Sequence, residues 1–111
     1  MELEAAAGIL AEMGNPVRLQ VIRLLVRAGT DGVPVGRIQE EVGIPASTLS
    51  HHLSHLKSVG LIHQRRERTT LWCVMNYPQL EAVTDFLTNE CCRGLPPEAL
   101  ETATSAAEVA A

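Results

Sequence analysis

The chain has 111 residues and a formal net charge of −4, and its length suits one domain. Hydrophobic residues make up 46%, which excludes a chain disordered by composition, and a single Phe, Trp and Tyr leave the core to aliphatic side chains. No apolar run approaches the ~20 residues that cross a bilayer, so no membrane partner is expected.

The opening stretch MELEAAAGILAEMG has no basic n-region of a signal peptide, and a cytoplasmic protein with reduced thiols is expected. Leu3, Ala6, Ala7, Leu10 and Met13 follow helical spacing, predicting a first helix over 3–13. Gly14-Asn15-Pro16 breaks it, with Asn15 placed as an N-cap and Pro16 at the first position of a second helix to about Arg27. There Leu19, Ile22, Leu25 and Val26 are expected inward and Arg18, Arg23 and Arg27 outward. Residues 28–32 read as a loop. A third, short helix spans 34–42 and ends at Gly43; a fourth runs from Pro45 to about Val59, with Leu49, Leu53 and Leu56 as its narrow apolar stripe. Two β-prone runs, 61–66 and 70–75, flank the polar tip Arg66-Glu67-Arg68-Thr69 and predict a hairpin. Residues 78–92 return to helical spacing through Leu80, Val83, Phe86 and Leu87, and 95–111 reads as a weakly ordered tail after a domain over 1–94.

This order predicts a mainly α fold with a small β-hairpin: a winged helix-turn-helix of five helices plus a two-stranded wing. The aliphatic stripe anchors the fourth helix, so small polar side chains at its start can enter a major groove about 12 Å wide. Ser47, Thr48, Ser50, His51 and His52 are the expected contacts to base edges or phosphate, and Arg65, Arg66 and Arg68 the wing contacts to backbone or minor groove. The negative total charge does not oppose this. Residues 45–73 carry +3, against −2 before them and −5 after, and exposed charges beyond a Debye length of ~8–10 Å are screened. His51 and His55 also have the four-residue spacing of metal ligands, but no carboxylate or thiol lies nearby in sequence to complete a site, so they read as groove-facing or core-rim residues. HHLSH lacks the Glu after its first His that zinc hydrolysis would need.

The stretches GNPVRLQVIRLL, STLSHHLSHLKSVGLI and RRERTTLWCVMN resemble the ArsR (ArsR/SmtB) transcriptional repressors over roughly residues 5–92. The resemblance implies a homodimer joined through the first and fifth helices. It would bind an inverted-repeat operator in double-stranded DNA and leave it when a metal, metalloid or redox signal arrives. Arg68 departs from the family pattern, which often has Gly at the wing tip. Thiol-type arsenic sensors of the family place cysteines in the helix before the recognition helix, and VGRIQEEVG has none. The FLTNECCRG ending is similar to an arsenic-responsive subgroup with a vicinal pair there, which assigns Cys91 and Cys92 as ligands and leaves Cys73 between ligand and small buried hydrophobe.

Thiolates select soft, thiophilic species. Trivalent arsenic accepts three sulfurs, and monomethyl arsenite needs two. Neighbouring residues on a regular helix lie about 100° apart, so Cys91 and Cys92 can grip one atom only if the last turn unwinds. The same pair suits oxidation, persulfide or sulfide, and cadmium, mercury or antimony; a copper, mercury or cadmium buffer without DNA is a further reading. An enzyme is not expected, because NECCRG has no Gly-rich cradle for an oxyanion beside its cysteines.

Overall fold

The computed structural model describes residues 1–95, so nearly all of the expected tail lies outside the described residues. Its helices are α1 (Leu3–Met13), α2 (Pro16–Ala28), α3 (Val35–Val42), α4 (Ala46–Ser58) and α5 (Tyr77–Thr88). The strands are β1 (Val33–Pro34), β2 (Ile62–Glu67) and β3 (Thr70–Met75), in the antiparallel order β1-β3-β2. Five helices and a wing hairpin match the expected fold, and β1 adds a third strand to it. Val33 pairs with Cys73 and Pro34 with Trp72. Pro34 is tolerated because it lies on an edge, where its missing donor breaks no central ladder.

Local chemistry sets the boundaries. Asn15 Oδ1 accepts hydrogen bonds from the Val17 and Arg18 amides at 2.9 and 3.2 Å, and Pro16 opens α2. Gly43, with φ +71°, takes the left-handed conformation that closes α3 and turns the chain into α4. The core is aliphatic, as composition required: Val21, Leu25, Ile38, Leu49, Leu56, Leu61 and Val83 are at most 1% exposed.

The inward faces of the first two helices differ from expectation. In α1 the buried residues are Ala6 and Ile9, with Met13 packed beside them, while Leu3 is 65% and Leu10 37% exposed. In α2 Val21 joins Ile22 and Leu25 in the core, leaving Leu19 and Val26 exposed. Leu87 of α5 is 61% exposed. The expected stripes of α1 and α2 share only Ala6, Met13, Ile22 and Leu25 with the covered faces, because both helices are apolar on more than one side and spacing alone does not say which side the fold covers. The expected fifth helix also ends four residues early, at Thr88.

Candidate nucleic-acid interface and thiol site

Leu49, Leu53 and Leu56 bury one side of α4, so Ser47, Thr48, Ser50 and His51 are left exposed, together with Ser54 and Ser58. Pro45 precedes the helix and gives no side-chain cap. The first-turn amides are therefore free to meet an anion, which the helix dipole also favours. His52 is turned away from this face. Its Nδ1 accepts from Arg18 Nε at 3.1 Å, and burial, then the Arg18 charge, hold its pKa below the ordinary imidazole range. It is thus a neutral acceptor toward α2 rather than an outward contact.

The wing arginines differ in freedom. Arg65 Nε pairs with Glu67 Oε1 at 3.0 Å, its Nη2 donates to the Asp31 carbonyl at 3.0 Å, and its guanidinium stacks 5.2 Å from the Trp72 ring. Arg66 and Arg68 are exposed and make no ion pair among the described residues. Arg68 opens the two-residue turn between Glu67 and Thr70 with φ +57°. The unusual tip is therefore a short turn that carries backbone strain.

A polar cluster absent from the sequence reading holds α4 to the N-terminal helices. Glu12 Oε2, at the end of α1, accepts from Arg18 Nη1 at 2.6 Å and lies 2.8 Å from His55 Nδ1. His55 Nε2 in turn lies 3.1 Å from His51 Nε2. Arg18, expected outward, is the centre of this cluster; its side chain is 13% exposed. Glu12 and His55 are 43 residues apart, so no local pattern could have joined them.

The three cysteines separate into two environments. Cys73 is fully buried in β3, its sulfur accepting from Gln64 Nε2 at 3.4 Å, and burial pushes its thiol pKa up. Cys91 and Cys92 are exposed, beyond the end of α5. The Cys91 amide bonds back to the Thr88 carbonyl at 3.0 Å, and Glu90 and Cys92 take positive φ of 63° and 66°. The two sulfurs converge to 2.9 Å on this turn. Sharing a hydrogen bond with Cys92 raises the Cys91 thiol pKa. Among the described residues no group of three His, Cys, Asp or Glu forms a metal cluster. Cys73 is therefore not brought to the pair, which corrects its tentative place as a third ligand.

Comparison with known proteins agrees with this arrangement. A helix-turn-helix domain model matches residues 13–65. The uncharacterized HTH-type transcriptional regulator MJ1325 of Methanocaldococcus jannaschii is 39% identical over 66 residues, 60% of this chain and 72% of MJ1325. The nodulation protein NolR of Rhizobium meliloti is 38% identical over 71 residues, 64% of this chain and only 56% of NolR's length. A Halobacterium salinarum regulator named for the arsenical resistance operon, ArsR2, is 37% identical over 59 residues, 53% of this chain and 49% of its own. Among solved structures, the homodimeric winged helix-turn-helix DNA-binding domain of Mycobacterium bovis Mb0332, described as a possible ArsR-family transcriptional regulator, superimposes with a TM-score of 0.62 at 29% identity, covering 81% of this chain and 83% of that one. The chain belongs to the helix-turn-helix transcriptional regulators, and regulators named for ArsR are among the proteins it is similar to. Within this winged helix-turn-helix fold, α3 and α4 are the helix-turn-helix and β2–β3 the wing, which puts the exposed Ser47–His51 face and the free arginines on the elements expected to meet DNA. No helix of the described residues is long and apolar enough to cross a membrane.

Proposed function

We propose that this regulator is a homodimeric repressor that holds its operator through α4 and the wing and releases it when Cys91 and Cys92 capture a trivalent arsenical. The observation that carries the reading is the convergence of two exposed sulfurs to 2.9 Å on a turn directly beyond α5. The unwinding that two-point capture requires is already built into the chain.

The sulfur count narrows the ligand. With Cys73 in the core, one subunit offers two thiols, which suits an arsenical with two exchangeable hydroxyls and one retained carbon substituent. Two As–O bonds are replaced by two As–S bonds, each thiol proton leaving with a hydroxyl as water, and arsenic stays trivalent. Inorganic arsenite would need a third sulfur from outside the subunit.

The exposed Leu3 and Leu10 of α1 and Leu87 of α5 support a subunit contact through these helices. Half-sites one helical turn apart require the two α4 helices ~34–36 Å from each other. A ligand that fixes the end of α5 can weaken DNA binding only by favouring a different spacing, because it must bind one state better than the other.

The same 2.9 Å approach favours a second reading. A two-electron oxidant could remove both protons and close the pair to a disulfide of about 2.05 Å. A persulfide donor, or sulfide together with a two-electron oxidant, would use the same two sulfurs, as would cadmium, mercury or antimony.

The test is release of the DNA upstream of the chain's own gene, titrated with methylarsenite, arsenite, antimonite, cadmium, zinc, sulfide and peroxide. Cys91→Ser and Cys92→Ser should bind that DNA as tightly as the parent and no longer release it with methylarsenite, while Cys73→Ser remains inducible. Full induction of both vicinal variants overturns the sensor assignment. Release by peroxide alone, with an intramolecular disulfide by mass spectrometry, would replace arsenic with oxidation.

A further inference from the structure

We infer that hydrogen bonds running from Glu12 through His55 fix His51 with its proton on Nε2 and a bare Nδ1, so that His51 selects a base with an exocyclic amino group, adenine or cytosine. The base preference deepens, and rests on, the reading of α4 as the DNA-facing helix; the placing of the protons does not.

The polarity is set at the covered end of the cluster. Glu12 Oε2 accepts from Arg18 Nη1 at 2.6 Å and lies 2.8 Å from His55 Nδ1. Arg18 is held on its other side, where Nε donates to His52 Nδ1 at 3.1 Å. A carboxylate paired with a guanidinium has lone pairs and no proton to give, so His55 Nδ1 is the donor to it. A neutral imidazole carries one N–H, which leaves His55 Nε2 as an acceptor. His51 Nε2 stands 3.1 Å from that atom and completes the contact only as a donor. The single proton of the His51 ring is thereby spent on Nε2. The opposite order fails at its first step: a proton on His55 Nε2 would leave two acceptors, Nδ1 and the Glu12 oxygen, facing each other at 2.8 Å in a partly buried cluster.

Glu12 and His55 are thus positioning residues, and the readout falls to His51. It is exposed on α4, between the exposed Ser47 one turn before and Ser54 one turn after, and its Nδ1 has no hydrogen-bond partner among the described residues. Nδ1 is as many bonds from the backbone as the amide atoms of Asn, a side chain that reads adenine across the major groove, so its reach is sufficient. In that groove adenine N6 and cytosine N4 are amino donors, whereas guanine O6 and N7 and thymine O4 are acceptors. A bare nitrogen accepts from the first pair and sets lone pair against lone pair with the second. A freely titrating or freely rotating histidine would make no such choice, because either ring nitrogen can then carry the proton.

The test uses the full chain, reduced, at about pH 8, where an ordinary imidazole is neutral. Long-range proton–nitrogen NMR of the DNA-free protein reads which ring nitrogen is protonated. The expected pattern is N–H at His55 Nδ1 and at His51 Nε2, with His51 Nδ1 bare. His55→Ala keeps the Glu12–Arg18 pair and removes only the acceptor, so His51 should become a mixture of both tautomers in a chain that circular dichroism shows still folded. A proton on His51 Nδ1 in the parent, or an unchanged His51 tautomer in His55→Ala, overturns the relay. Binding-site selection from randomised variants of the upstream DNA then measures the readout. The parent should favour adenine or cytosine at one position of each half-site, and guanine or thymine there should weaken binding about 2–10-fold, as loss of one hydrogen bond does. His51→Ala should bind all four bases alike at that position, and His55→Ala should narrow the preference while His51 remains. Selection of guanine or thymine at the position that His51→Ala flattens, or no position flattened at all, overturns the readout. Failure of the parent to bind any duplex would overturn the reading of α4 and the readout with it, and leave the nitrogen assignment standing.

Discussion

Replacing Arg68 with glycine should make the protein more stable and a weaker DNA binder at once. Arg68 sits at φ +57°, where an L side chain costs about 1–2 kcal/mol and glycine costs almost nothing. Glycine's greater freedom in the unfolded chain returns roughly 0.5–1 kcal/mol of that gain. The net stabilisation is about 0.5–1 kcal/mol, or ~2–5 °C in Tm for a domain of this size. The same change removes an exposed cation from each wing. If each Arg68 neutralises one phosphate, a dimer loses two contacts and the slope of log K against log salt falls by about 1.8. Arg68→Ala separates the effects, since it removes the charge and keeps the strain. Unfolding is compared at equal protein concentration, so that the proposed dimer contributes equally to each variant's apparent stability. A lower Tm for Arg68→Gly would refute the strain argument, and an unchanged salt slope in both variants would show that the tip does not reach phosphate.

Gly32→Ala should be the more damaging backbone change: with φ +83° and ψ −171°, an added Cβ would stand 2.5 Å from the Cys73 carbonyl oxygen. The conformation alone costs about 1–3 kcal/mol and the contact adds to it, so urea unfolding should show a loss of at least about 2 kcal/mol. Arg66→Ala should lower the salt slope with little change in stability, whereas Arg65→Ala should loosen the wing, because Arg65 is spent on Glu67, Asp31 and Trp72; fluorescence of the single tryptophan and salt-dependent DNA binding distinguish them. Iodoacetamide should label Cys91 and Cys92 in the folded protein and Cys73 only with unfolding. Because burial raises the Cys73 pKa, its contribution to stability is complete below the unfolded thiol's pKa and is lost as pH rises from that value toward the folded one, so chemical denaturation should become easier at alkaline pH.

The helical boundaries were readable because short-range chemistry writes them. Asn15-Pro16 starts α2, Gly43 ends α3 and Gly60 follows α4, each within a residue or two of expectation. Strand β1 was not readable: two residues carry no period, and a proline argues against a strand until an edge position is known. The end of α5 was misplaced because Asn89 to Cys92 contain no Gly or Pro, the usual signs of a break; the turn is made instead by two non-glycine residues at positive φ. The exposure of Ser47, Thr48, Ser50 and His51 was readable because solvent exposure on a helix follows from its apolar stripe. Glu12 and Arg18 were missed because their partners come from distant parts of the chain, and their spacing within α1 and α2 resembles any solvated charge.

These missed residues bear directly on how a signal could travel. α1 packs against α5 on one side and against α2 and α4 on another. Its last turn holds Glu12, whose single oxygen is shared by Arg18 and His55. A movement of α1 that displaced Glu12 would leave the Arg18 guanidinium partly buried without its carboxylate, a costly arrangement unless α4 follows or the cluster opens to water. Helix α5 therefore has a packed connection to α4 through α1. The route is short and polar at its end, where hydrogen-bond geometry is directional, and packed aliphatics elsewhere, which deform little. Such a connection favours discrete alternatives over gradual bending, which is the property a repressor needs to be either on its operator or off it.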